Sequence, residues 1–127
     1  MEDVKMKLAA LWLIEEGALL AFSLLWIMEP GMIDQLMAEV VEGMAVPDML
    51  ITLAIGFLIP LAMALLSMTL KNPSNRWANI IVAIVFIVLG IITGHYTYAH
   101  SIIISLFEFV VLALIIWYAW KWPKQGE

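Results

Sequence analysis

Four largely apolar runs, at about residues 8–28, 49–70, 77–94 and 101–122, alternate with polar breaks along the chain. At ~1.5 Å rise per residue, each is long enough as a helix to cross a ~30 Å hydrocarbon core. The pattern predicts an all-α integral membrane protein, a four-helix bundle formed as one domain over residues 1–127. Pro60 falls inside the second run. Membrane helices tolerate an internal proline because neighbouring groups satisfy the freed carbonyl, so a kink is expected there. Only residues 95–100 separate the third run from the fourth, which makes the two an antiparallel hairpin.

The break between the first two runs is itself patterned. Met32, Ile33, Leu36, Met37, Val40, Val41 and Met44 recur at helical spacing against Asp34, Gln35, Glu39 and Glu42. This predicts an amphipathic interfacial helix over about residues 32–45, with Pro30-Gly31 before it and Gly43 and Pro47 near its end. Its acidic polar face argues against attachment to anionic lipid headgroups.

Composition sharpens the class. Of 127 residues 65% are hydrophobic and 13% charged, against roughly 25% charged in a soluble domain. The formal charge of −5 and the absence of any basic cluster leave no surface for nucleic acid. With no cysteine, disulfides, thiolate metal sites and cysteine nucleophiles are excluded. No small-x-small cleavage site ends the first run, so a removed signal peptide is not expected.

All six Lys and Arg residues fall at one end of the predicted spans: Lys5 and Lys7, Lys71 and Arg76, Lys121 and Lys124. Glu29, Asp34, Glu39, Glu42 and Asp48 fall at the other. Basic flanks stay cytoplasmic, so the expectation is a multi-pass cell-membrane protein with both termini inside. Trp77, Trp117, Tyr118, Trp120 and Trp122 form an aromatic belt at the inner interface, with Tyr96 and Tyr98 at the outer one.

At 100° per residue, Trp12, Glu15, Glu16, Leu19, Ser23 and Trp26 share one side of the first span. That side faces protein. Gly17 and Ala21 form a small-residue pair on the opposite side, while Asn79, Ala83, Gly90 and Gly94 share a narrow arc of the third span. Both surfaces suit close helix packing, and the one left over inside so small a bundle would support a homodimer. In the fourth span Ser101, Ser105, Glu108, Leu112 and Ala119 line an inward stripe, with Trp117 toward lipid.

Glu15, Glu16 and Glu108 are the carboxylates inside spans. Taking Glu as comparable to Asp, a pair costs ~5–7 kcal/mol at mid-membrane, whereas the ten Leu, Ile and Phe residues of the first span return ~3–6 kcal/mol. Such a burden points to use as a ligand or proton site, with Ser23, Ser101 and Ser105 as polar neighbours. The competing reading is that neutral carboxyls hydrogen-bonded between helices fix their register. Glu16 aligns better with Ser23 than Glu15 does, and Glu108 is expected to be neutral with Ser105 as its partner.

Metal and cofactor chemistry is weakly served. His95 and His100 bracket the second outer turn, a poor match to zinc spacing and too close together for axial ligation of haem. No Lys lies within a span to carry a Schiff base, and no catalytic triad, phosphate loop or di-iron motif is present, so no cofactor is expected.

Three local patterns carry a resemblance: Glu29-Pro30-Gly31-Met32-Ile33, Asn75-Arg76-Trp77-Ala78-Asn79-Ile80, and Ile116-Trp117-Tyr118-Ala119-Trp120-Lys121-Trp122-Pro123. Together the chain resembles a family of short prokaryotic four-span membrane proteins of unknown function, and more broadly DoxX-like four-helix membrane proteins. The resemblance implies a four-helix bundle and an acidic position at Glu108. It also implies acidic residues where this chain has Ser23 and Leu58, and it brings no catalytic residues. The leading reading is a non-enzymatic bundle in the lipid bilayer that binds a small hydrophobic ligand or relays protons at its interior carboxyls. The alternatives are a structural or interaction subunit of a membrane complex and, third, an enzyme acting on a lipid or quinone.

Overall fold

The computed structural model describes residues 2–94 and 96–122. Four long helices form the bundle: α1 (Glu2–Ile27), α3 (Val46–Thr69), α4 (Ser74–Thr93) and α5 (Ala99–Trp120). Each is long and apolar enough to cross a membrane. Between α1 and α3 lie a one-turn-and-a-half helix α2 (Met32–Met37) and an antiparallel hairpin of β1 (Val40–Val41) and β2 (Met44–Ala45). The apolar runs mark the spans within a few residues. The largest offset is at α1, which continues N-terminally through Lys5 and Lys7 because neither breaks a helix.

A continuous interfacial helix over 32–45 does not form. Glu39, Glu42 and Gly43 hold φ of 65°, 50° and 83°, the left-handed region that no helix interior contains. The Glu42-Gly43 pair supplies the two positive φ values that favour a tight two-residue hairpin, and the β-branched Val40-Val41 pair suits a strand. Met32 and Val41 are buried beneath this segment, so the apolar spacing serves two short elements where a single helix was expected. The Glu42 amide donates to Gln35 Oε1 at 2.8 Å and ties the hairpin back to α2. Pro47, expected to close the helix, sits in the first turn of α3, where its missing N–H costs nothing. Helix α3 runs on through Pro60, which is buried.

Helix α1 packs along both α3 and α5, and α5 packs along α4, whereas α3 and α4 meet chiefly at the ends joined by their turn. The core is concentrated toward the end carrying the N-terminus of α1 and the C-terminus of α5, around Leu8, Trp12, Met63, Ile80, Leu112 and Ile115. Gly90 and Gly94 face inward. A Cβ at Gly90 would stand 3.0 Å from the Phe109 ring, and one at Gly94 would strike the Tyr96 hydroxyl. Gly17 and Ala21 are exposed, and a Cβ at Gly17 would meet nothing within 4 Å.

The aromatic flank at the same end is organised by its cations. Arg76 lies 5.3 Å from the Trp77 ring and 5.2 Å from that of Trp120, Lys121 sits over Trp117, and Lys7 over Tyr118. Trp77, Trp117 and Trp120 are exposed, as an interfacial belt requires. Trp122 departs from the belt: it is buried in the core.

Candidate functional site

Because α3 and α4 part toward the acidic loop end, the bundle encloses a cavity of about 620 Å³ in that half. Its lining is largely apolar and aromatic, drawn from all four spans, with Val41, Glu42 and Met44 of the hairpin at its mouth. Thr52 and Ile55 on α3 and Leu89 and Thr93 on α4 line it while remaining exposed, so the cavity reaches the lipid-facing surface between these two helices.

The polar groups of the lining include two carboxyls. Glu15 on α1 and Glu108 on α5 are neighbours across the helix interface, near enough to interact. Glu15 is 0% exposed, and its carboxyl is hydrogen-bonded to that of Glu108. Glu16 is buried too, but it does not line the cavity. The pairing therefore falls to Glu15, although the helical alignment with Ser23 favours Glu16. With α1 starting at Glu2 and α5 at Ala99, Glu15 and Glu108 both lie close to mid-helix.

Ser23 and Ser105 join the lining. Ser101 is turned away: its hydroxyl donates to Glu29 Oε2 at 3.2 Å, and His100 Nε2 lies 2.7 Å from the same oxygen. These contacts clamp the loop end of α1 to the start of α5, with Tyr98 stacked on the His100 ring at 5.6 Å. His100 thus has a carboxylate partner that spacing alone does not reveal. His95, the other weak metal candidate, lies outside the described residues. Among the described residues no three metal-ligating side chains come together.

Toward the turn between α3 and α4, outside the cavity lining, lies a layer of hydrogen-bonded polar side chains. Asn79 Oδ1 accepts from Trp12 Nε1 at 2.7 Å and from Ser67 Oγ at 3.1 Å. Its amide nitrogen donates to Asn75 Oδ1 at 2.7 Å, and the Asn75 amide donates to the carbonyl oxygens of Ser67 and Leu70. All four side chains are fully buried. Trp12 also meets Phe86, a lining residue, edge to face at 5.9 Å. Asn79 is legible in the sequence as a packing position. Its partners Asn75 and Ser67 are missed, although two asparagines four residues apart in an apolar helix are the signal that would have found them.

This layer and the clamp hold residues of the sequence motifs, and the chain matches one family from residue 2 to residue 127. The chain belongs to DUF6326, a family of unknown function. No curated protein and no solved structure matches it. Within this DUF6326 chain the Asn75-Arg76-Trp77-Ala78-Asn79 motif supplies the buried polar layer and part of the aromatic flank. Glu29, at the head of another motif, is the clamp carboxylate.

Proposed function

We propose that this small membrane protein holds a small apolar ligand in the cavity between α3 and α4, with the Glu15 and Glu108 carboxyls contacting the ligand's polar end. The observation that carries this reading is the cavity itself: about 620 Å³, apolar, reaching the lipid-facing surface, with the Glu15–Glu108 carboxyl pair in its lining. Binding sites for small molecules have this size and this ratio of apolar wall to few polar groups. Kinship with DoxX-like proteins belongs to the same proposal and rests on the number of spans alone.

Gly56 provides the test. It lines the cavity, and a Cβ placed there would meet nothing within 4 Å, so a large side chain can enter without displacing backbone. Full-length protein purified from membranes in mild detergent should release an enriched amphiphilic compound into organic solvent. Gly56→Phe, with its thermal stability retained, should release none. Identical extracts from the two proteins would remove the ligand reading.

The proposed orientation places both termini in the cytoplasm, supported by Lys5, Lys7, Lys71, Arg76 and Lys121 lying at one end of the bundle. Single cysteines at Asp34 and Tyr98 are expected to react with an impermeant maleimide added to intact cells, and one at Ser74 is expected not to. The reverse pattern would invert the protein.

A further inference from the structure

We infer that the cavity selects an organic cation, an ammonium- or phosphonium-type head on an apolar body, with the Glu15 carboxyl as counter-ion and Glu108 beside it. This rests on the ligand reading above and names the chemistry of the ligand. Glu15 is fully buried, and among the described residues its carboxyl is hydrogen-bonded to another carboxyl, that of Glu108, so no group of opposite charge offsets the pair. No described lining residue supplies a counter-ion. The nearest ionisable neighbours, Glu108 on α5 and Glu16 on α1, share its sign, as does Glu42 at the cavity mouth. Among the described lining residues there is no Lys, Arg or His, and α3 and α4 contribute no titratable side chain.

The sign of the ligand follows from that inventory. An anion would meet carboxyls alone. A neutral hydroxyl could donate one hydrogen bond, but it would bring no charge to offset two carboxyls of like sign. A cation satisfies both carboxyls with one group. The walls fit the same choice, because Phe22, Trp26, Phe57, Phe86, Tyr96 and Phe109 line the space. Aromatic rings attract quaternary and other organic cations through their quadrupoles, most strongly where water is excluded. The remaining lining is aliphatic and suits an apolar body.

Two ions of the same shape and opposite charge separate charge from size: tetraphenylphosphonium and tetraphenylborate. Each is titrated calorimetrically into the full chain in a non-ionic detergent. Tetraphenylphosphonium should bind saturably at one per chain, and tetraphenylborate should not saturate. Glu15→Gln, which keeps shape and removes charge, should weaken the cation by at least about tenfold, and Glu108→Gln should weaken it as well. Using both variants protects the test against misfolding of either. Equal binding of the two ions, or cation affinity unchanged in both variants, would show that the cavity accepts apolar bodies regardless of charge; the cation inference would fall and the ligand reading would stand. Binding of neither ion would also overturn the cation inference. The ligand reading falls only if the wild-type and Gly56→Phe extracts match.

Discussion

Replacing Asn79 with leucine should lower the stability of the bundle by about 2–4 kcal/mol, at roughly 0.6–2 kcal/mol for each interhelical or side-chain hydrogen bond lost. Asn79 is the hub through which α1, α3 and α4 meet: it accepts from Trp12 and Ser67 and donates to Asn75. Leucine fills the volume and strands three polar groups in a fully buried layer, and stranded groups cost more than the bonds themselves are worth. Trp12→Phe removes a single bond and keeps the ring, so its loss should be about a third as large. Reversible unfolding of the full chain in mixed micelles measures both. A change below about 0.5 kcal/mol for Asn79→Leu would mean that apolar packing alone holds α1, α3 and α4 together at this layer.

The spans were legible because a membrane imposes a minimum apolar length, and four runs meet it without competition from any other reading. Segment 32–45 was not, since apolar residues at 32, 36, 37, 41 and 44 fit one helix as readily as a short helix followed by a hairpin. The left-handed backbone at Glu39 and Glu42, which decides the matter, has no signature in residue type. Only Gly43 marks the turn.

The candidate site was legible in its chemistry and not in its geometry. Carboxyls in an apolar helix are conspicuous, so Glu15, Glu16 and Glu108 stand out from the sequence alone. Which of two adjacent glutamates meets Glu108 depends on how α1 is rotated against α5, and a helical wheel drawn from one span carries no information about its neighbour. The cavity depends on α3 and α4 parting above their shared turn, a property of tertiary packing that no local pattern encodes. Ser101 shows the same limit: it lies on the inward stripe, yet its hydroxyl belongs to the Glu29 clamp.

The second large effect is expected at Glu15, and its sign is informative. A buried carboxyl that holds helices together through hydrogen bonds stabilises the fold. One kept for a ligand destabilises the empty protein, because its desolvation is uncompensated until the ligand arrives. Glu15 is closer to the second pattern: it is 0% exposed and its hydrogen-bond partner is a second carboxyl, Glu108, which brings like charge and no counter-ion. Methionine matches its length, has no polar group to strand and adapts to irregular walls. Glu15→Met should therefore raise the stability of the ligand-free protein by about 1–3 kcal/mol while abolishing binding.

The most direct measurement is the unfolding free energy of the ligand-stripped full chain in mixed micelles, wild type against Glu15→Met. The account predicts a more stable variant. A loss of stability of similar size would contradict it and make Glu15 a structural residue of the α1–α5 interface.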